Sequence, residues 1–216
     1  MTEQTQNTLL PRGVNDANLQ QALAKFRKLL GEDNVLVKDE QLIPYNKIMI
    51  AVDNAEHAPS AAVTATTVEQ VQGVVKICNE YGIPVWTIST GRNFGYGSAA
   101  PGQRGQVILD LKKMNKIIHV DPDLCTALVE PGVTYQQLYD YLEENNIPLM
   151  LSFSAPSAIA GPLGNTMDRG VGYTPYGEHF LMQCGMEVVL ANGDVYRTGM
   201  GGVKGDNAWQ VFKWGY

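Results

Sequence analysis

The stretch IPVWTISTGRNFGYG, residues 83–97, decides the fold of this chain. Its first part, residues 83–89, is rich in β-branched and aromatic residues and predicts a buried strand. Three glycines follow within residues 91–97, where they permit positive φ and let backbone N–H groups converge on an anion. Arg92 adds a charge suited to phosphate. The sequence therefore predicts a phosphate-binding loop directly after a strand, with a flexible surface loop as the alternative.

The residues before this stretch predict a parallel βαβ unit. Residues 61–64 form a short strand candidate, and a capping box, either Thr66 with Glu69 or Thr67 with Gln70, opens the helix that follows. The chain then returns through the strand at 83–89. Two parallel strands joined by a helix imply a right-handed crossover.

Farther along the chain the pattern becomes antiparallel. A second capping box, Thr134 with Gln137, opens another helix, and Asn192-Gly193 is a signal for a type I′ hairpin. Short strands are predicted at 107–111, 116–120, 125–130, 147–151, 184–191 and 195–198. An amphipathic helix is predicted over 16–30, with Asn15 or Asp16 as its cap. Residues 40–58 show no clear period. The predicted class is α/β, grading into α+β.

The Gly-rich loop differs from the common nucleotide-binding signatures. It lacks the Gly-Lys-Ser/Thr ending of a Walker A loop, and it is not a G-x-G-x-x-G that enters a helix. A bound dinucleotide would therefore not be held in the Rossmann manner. Two other stretches could approach a ligand: the turn at 130–133 and the segment GPLGNTMDRGVGYTPYG at 161–177. Within the segment 161–177, Asp168 and Arg169 could pair with each other. His179, two residues beyond it, is interpreted as a structural hydrogen-bonding histidine.

Composition excludes several classes of partner. The formal net charge is −6 and no Lys/Arg block occurs, which argues against nucleic acid or an anionic membrane as partner. No apolar run of about 18 residues predicts a membrane span, and the polar N-terminus is no secretory signal, which favours a cytoplasmic location. The spacing of the three histidines and three cysteines predicts neither a metal site nor a disulfide framework. The cysteines are expected to be buried thiols.

Four stretches together resemble the FAD-binding part of the vanillyl-alcohol oxidase / p-cresol methylhydroxylase flavoprotein family. They are PVWTISTGRNFGYGSAAP (84–101), VEPGVTY (129–135), GNTMDRGVGYTPYGEH (164–179) and GMEVVLANG (185–193). The resemblance implies FAD as cofactor and a PCMH-type FAD domain of two α/β subdomains. That domain would span residues 51–216, preceded by an arm and helix at 1–50.

The resemblance also implies roles for individual residues. The pyrophosphate-binding loop would consist of Ser89, Thr90, Gly91, Arg92, Asn93, Phe94, Gly95 and Gly97. The cofactor would be lined by Pro131, Gly132, Gly164 and Asn165. Gly172 and Tyr173 would lie near the flavin. The backbone of Glu187, Val188 and Val189 would face the adenosine side. Tyr96 resembles the family tyrosine that hydrogen-bonds the phenol oxygen of the substrate, and is the candidate catalytic residue. Alternatively, Tyr96 packs against the adenine or ribose.

The implied reaction is oxidation of a 4-alkylphenol at its benzylic carbon. Hydride transfer to FAD gives a quinone methide, water adds to it, and electrons pass to a c-type cytochrome subunit; no C-x-x-C-H occurs in this chain to hold that haem. The stretch 149–164 contains no Asp or Glu, which favours the dehydrogenase/hydroxylase branch over the oxidase branch.

The resemblance carries further implications for the whole enzyme. The flavoprotein would form a homodimer, and use of a c-type cytochrome makes a periplasmic location an alternative to the cytoplasm. Family members extend well beyond the equivalent of Tyr216 into a substrate-binding cap domain, so residues 1–216 alone are expected to form an incomplete FAD site with little or no turnover. Other hypotheses are a relative acting on eugenol, vanillyl alcohol or a 2-hydroxy acid, and a non-catalytic nucleotide-binding module.

Overall fold

A computed structural model describes residues 9–48, 50–93, 98–154, 157–173, 175 and 177–198. Helices and strands alternate in its first half, and two separate hairpins follow in its second half. The helices are α1 (Asp16–Leu30), α2 (Asp39–Asn46), α3 (Val68–Tyr81), α4 (Tyr135–Glu144) and α5 (Pro162–Met167). The strands are β1 (Val35–Leu36), β2 (Ala61–Thr64), β3 (Val85–Ile88), β4 (Val107–Asp110), β5 (Ile117–Asp121), β6 (Thr126–Val129), β7 (Glu187–Val189) and β8 (Val195–Arg197).

The main sheet has the strand order β1-β2-β4-β3, in which β2, β4 and β3 are parallel and β1 is antiparallel. The predicted βαβ unit is present, but β4 lies between its two strands. All four residues of β4 are buried, as expected for a strand with a neighbour on each side. The prediction of a buried strand at 83–89 is only partly right, because β3 pairs with β4 on one side and Trp86 is 37% exposed.

The main core lies between this sheet and the helices α1 and α3. Phe26 and Leu23 of α1 and Val74 of α3 are fully or almost fully buried in it. The helices approach so closely that a Cβ added to Gly73 would lie 2.5 Å from Leu29. Burial of these apolar side chains supplies most of the driving force for folding here.

Helix ends follow the predicted capping signals. The Asn15 side chain accepts a hydrogen bond of 2.8 Å from the Asn18 N–H at the start of α1. At α3, Thr67 is the N-cap, since Thr67 Oγ1 accepts from the Gln70 N–H. Neither predicted box is closed there, because Gln70 Oε1 accepts from the Thr66 N–H and not from the Thr67 N–H. The Thr134 box at α4 is confirmed. These side chains satisfy N–H groups that a helix start leaves without intrahelical acceptors.

Two local predictions are wrong, those of a strand at 147–151 and of a buried Cys125, and one helix forms where the sequence shows no clear period. Residues 147–151 form no strand; Ile147, Leu149 and Leu151 instead pack onto the core around Val133, so their alternation serves packing rather than strand pairing. The segment 40–58, which has no clear period, contains most of α2, whose Leu42 and Tyr45 are buried. Of the three thiols, Cys78 is buried, but Cys125 is exposed in the β5–β6 turn with φ of 54°.

The β7–β8 hairpin occurs where Asn192-Gly193 predicts it, but with a different turn. Gly193 has a φ of 85°, whereas Asn192 is not among the described residues with positive φ. A type I′ turn needs positive φ at both central residues. The Gly193 N–H donates to the Leu190 carbonyl oxygen at 2.8 Å, so this is a type I turn followed by glycine. In class, the chain is α/β grading into α+β and lies outside the Rossmann type, as predicted.

Candidate functional site

The loop after β3 and the turn before α4 meet at one hydrogen bond. Ser89 Oγ donates to the carbonyl oxygen of Pro131 at 2.6 Å. Gly132 packs against the segment that follows β4. A Cβ added to Gly132 would lie 2.5 Å from the Lys112 carbonyl oxygen and 2.6 Å from that of Leu111. Only glycine allows backbone to approach backbone this closely. The structure thus brings together two of the predicted cofactor segments.

The start of α5 completes the junction. A Cβ added to Gly161 would lie 2.7 Å from Ser89 Oγ, and one added to Gly164 would lie 3.5 Å from Ser89 Cβ. At the other end of α5, the Asn93 side chain donates from Nδ2 to the Asp168 carboxylate. The third predicted segment, Gly164-Asn165, therefore lies against the first.

A groove of about 300 Å³ opens beside this junction. Among the described residues that line it, two side chains are cationic, those of Arg92 and Lys112, and none is a carboxylate. Those residues are Thr90, Arg92, Lys112, Asn115, Gly132, Thr134, Gln137 and Ile159. Five of these residues were not predicted as site residues from the sequence: Lys112, Asn115, Thr134, Gln137 and Ile159. The first two follow β4, and their position at the carboxyl edge of a parallel sheet, where ligands commonly bind, is the signal that could have found them.

Three successive backbone donors at the groove have no acceptor among the described residues. Within the described residues, the N–H groups of Thr90, Gly91 and Arg92 bond to neither backbone nor side chain. Gly91 has a φ of 66°, and a Cβ there would lie 2.8 Å from that of Ala99. Successive free N–H groups near a positive-φ glycine form a concave anion site. With two cations nearby, this donor set fits the pyrophosphate of a dinucleotide.

Lys112 is held by a buried acid. The Asp110 side chain is 1% exposed, and its Oδ2 lies 2.8 Å from Lys112 Nζ and 2.6 Å from the donating hydroxyl of Tyr45. Burial, followed by the bond to Asp110, raises the pKa of Tyr45. Burial on its own would lower the pKa of Lys112, but its hydrogen bonds to Asp110 and Tyr45 leave it raised. Lys112 therefore remains a cation at the groove.

A second polar cluster lies behind α5. His179, which is 5% exposed, bonds through Nδ1 to Asn165 Oδ1, and its Nε2 lies 3.4 Å from Ser152 Oγ. Burial lowers the pKa of His179, partly opposed by the charge of Glu178. The interpretation of His179 as a structural histidine agrees with these contacts. Arg169 lies over the ring of Phe180, 4.8 Å from its centroid, rather than pairing with Asp168.

The other predicted site residues are placed as follows. Gly172 closes a loop by donating to the Gly177 carbonyl oxygen at 3.0 Å, and Tyr173 in that loop is 73% exposed. Glu187, Val188 and Val189 form β7 beside α3, and they do not line the groove. Phe94, Gly95, Tyr96 and Gly97 lie outside the described residues. The roles given to all these residues stay predictions.

Two searches of the described part of the chain concern other classes of site. No group of three or more His, Cys, Asp or Glu side chains there could hold a metal ion. None of the helices described is both long and apolar enough to cross a membrane.

Comparison with known proteins gives the site its context. Residues 59–199 match the family described as FAD binding domain. The chain is 78% identical over all 216 residues to the 4-cresol dehydrogenase [hydroxylating] flavoprotein subunit of Pseudomonas putida, and it spans 41% of that protein's length.

Solved structures agree. A crystal structure of p-cresol methylhydroxylase with substrate bound superposes with a TM-score of 0.93 at 79% identity, covering 96% of this chain and 40% of that one. The 4-ethylphenol oxidase of Gulosibacter chungangensis gives a TM-score of 0.89 at 40% identity, covering 94% of this chain and 39% of that one. The chain therefore belongs to the FAD binding domain family, its cofactor is FAD, and its resemblance to the vanillyl-alcohol oxidase / p-cresol methylhydroxylase flavoproteins is confirmed.

Proposed function

We propose that this chain is the FAD-holding part of a flavoenzyme that oxidises and hydroxylates the benzylic carbon of 4-alkylphenols. The observation that carries the proposal is the junction of Ser89 with Pro131 beside a groove of free N–H groups and two cations. The substrate class rests on the similarity to the 4-cresol dehydrogenase subunit, of which this chain spans 41%.

The proposed cofactor contacts follow from the groove. Free N–H groups at Thr90, Gly91 and Arg92 would bind the pyrophosphate, with the Arg92 and Lys112 cations balancing its charge. Pro131-Gly132 and Gly164-Asn165 would line the cofactor, because both lie against Ser89.

The remaining cofactor contacts rest on the family resemblance. Gly172 and Tyr173 would lie near the flavin, and the backbone of β7 would face the adenosine side. Residues 51–216 are proposed as the FAD domain, with 1–50 leading into it.

The reaction divides between cofactor and protein. Bound FAD would accept a hydride from the benzylic carbon. The chain's own contribution to the substrate would be Tyr96, whose hydroxyl would hydrogen-bond the phenol oxygen and so orient the ring and favour its ionised form. Water addition to the resulting quinone methide would then give the alcohol.

The partners proposed are a c-type cytochrome subunit as electron acceptor and a second copy of the flavoprotein. The support is that the Pseudomonas putida relative is named as a flavoprotein subunit, which implies another subunit in its complex. The cytoplasm, or the periplasm if such a cytochrome is used, is the proposed compartment.

The test is a substrate screen on the full-length flavoprotein that contains this sequence, with an artificial electron acceptor. We expect 4-alkylphenols to support turnover and 2-hydroxy acids not to do so. Tyr96→Phe should lower kcat/KM for 4-cresol by about 10- to 100-fold, the usual cost of one hydrogen bond made to a charged oxygen. Turnover of a 2-hydroxy acid but no phenol would overturn the proposed substrate class.

A further inference from the structure

His179 lies at the base of the loop formed by residues 171–178. Its backbone N–H donates to the Gly170 carbonyl oxygen at 3.1 Å, and the Gly170 N–H donates to the Asn165 carbonyl oxygen at 2.7 Å. An isolated bridge joins Val171 to Glu178 just above. His179 thus connects this loop to α5, whose Gly164 lies against Ser89 at the cofactor groove.

The side-chain contacts of His179 define its tautomer. The oxygen Oδ1 of Asn165 can only accept a hydrogen bond, so Nδ1 of His179 must carry the proton in their contact. In the neutral imidazole Nε2 is then an acceptor, and it faces the hydroxyl of Ser152 at 3.4 Å. Burial of the ring favours this neutral form.

These contacts fix the Asn165 carboxamide in one orientation. A Cβ on Gly170 would overlap the carboxamide, so glycine there leaves just enough room for it. With Oδ1 engaged by His179, the two N–H groups of Asn165 Nδ2 remain available, and within the described residues they have no acceptor. This half-buried amide donor is held rigidly next to Gly164, which lies against Ser89, and it is ready to bind an acceptor atom.

We propose that His179 is a positioning residue for FAD, which fixes the Asn165 carboxamide so that Nδ2 donates to a hydrogen-bond acceptor of the bound cofactor. The inference rests on the proposed cofactor site. It assigns His179 no proton transfer and no direct contact with the reacting atoms.

The first test compares two isosteres at position 179 in the full chain. His179→Asn keeps a donor near the position of Nδ1, whereas His179→Gln places its amide near the position of Nε2. We expect His179→Asn to bind FAD within about threefold of the parent, and His179→Gln to bind about tenfold more weakly, the loss of one hydrogen bond. His119→Gln, an exposed histidine on β5, is the matched control. Equal binding by His179→Asn and His179→Gln, each with a folded far-UV spectrum, would overturn the proposal.

A double-mutant cycle then asks whether His179 acts through Asn165. If it does, His179→Gln should weaken FAD binding by less than twofold once Asn165→Ala is present, since the donor that it positions is gone. If the fold-losses in FAD affinity of His179→Gln and Asn165→Ala instead multiply in the double variant, the two residues act independently. That result would contradict the proposal and leave His179 a purely structural residue.

A third measurement does not depend on FAD binding. Nitrogen-15 NMR of the histidine rings reports which ring nitrogen carries the proton. We expect His179 to be neutral and protonated at Nδ1 near neutral pH; protonation at Nε2 would overturn the inference even in a chain that binds no FAD. Conversely, a chain with the expected tautomer that fails to bind FAD would count against the proposed function and not against this orientation of Asn165.

Discussion

The hydroxyl of Ser89 donates to the carbonyl oxygen of Pro131 across 42 residues of sequence, at 2.6 Å. The bond joins the end of a strand in the parallel sheet to the turn that starts α4. It holds the candidate pyrophosphate loop beside the Gly132 backbone through a contact within the protein itself. A loop held by such a contact loses less conformational entropy on binding than a flexible loop would.

Gly132→Ala tests the close packing under the groove. The added Cβ would lie 2.5 Å from the Lys112 carbonyl oxygen, so backbone must move and we expect a loss of about 1–3 kcal/mol in the free energy of unfolding. FAD affinity should fall as well. Gly177→Ala, where a Cβ would meet no atom of the described residues within 4 Å, is the matched control. Equal stability of the two variants in urea unfolding would contradict this account.

Tyr45→Phe tests the buried contact behind Lys112. The variant removes a 2.6 Å hydrogen bond to Asp110 and leaves that carboxylate with the Lys112 contacts. We expect the free energy of unfolding to fall by about 1–2 kcal/mol, measured by urea titration. Tyr139→Phe, at a tyrosine 51% exposed, should change it by less than about 0.5 kcal/mol. An equally small change at Tyr45 would mean that its hydroxyl does not stabilise the fold.

The cysteines should differ in reactivity. Burial raises the pKa of Cys78 to about 12, whereas Cys125 is exposed in a turn. Because the thiolate is the reactive species, iodoacetamide should label Cys125 in the folded chain and Cys78 only after unfolding. Mass spectrometry of peptides from native and denatured samples would measure this. Labelling of Cys78 at the Cys125 rate in the native sample would show that α3 is not packed as described.

The pH dependence of stability should carry a signature of His179. Burial lowers its folded pKa below the ordinary value of 6.5, with Glu178 opposing in part. As pH falls, the unfolded state therefore takes up a proton before the folded state does. The stability that the neutral ring contributes is fully present above pH 6.5 and is lost as the pH falls from there to the folded pKa. The free energy of unfolding should thus fall more between pH 7.5 and 5 for the parent than for His179→Asn. A steeper fall in the variant would contradict the shift.

The sequence predicted much of this molecule because local signals and tertiary structure agree in it. Capping residues such as Asn15 and Thr134 act within one helical turn, so their pattern is sufficient to locate a helix start. The resemblance of four short stretches also identified the segments that meet at Ser89, although the contact itself links distant residues.

Other features depend on tertiary structure that no local pattern records. The order of strands in the sheet places β4 between β2 and β3, so β3 pairs only with β4 in the described sheet. Trp86 of β3 is for this reason partly exposed, in a strand that was predicted to be buried. Lys112 looks like an ordinary surface lysine in the sequence, since its role comes from a buried acid and from the Tyr45 hydroxyl, 67 residues away.

Retention of FAD by the full-length flavoprotein that contains this sequence tests the central claim most directly. The purified protein would be incubated with FAD, passed through gel filtration and examined by absorbance, with Arg92→Ala and Lys112→Ala measured beside it. We predict flavin bands at about 370 and 450 nm in the protein fraction, since the groove would hold the cofactor. The two variants should retain less FAD than the parent, because each lacks a cation beside the pyrophosphate. A colourless protein fraction, or ADP that binds as tightly as FAD, would contradict the account.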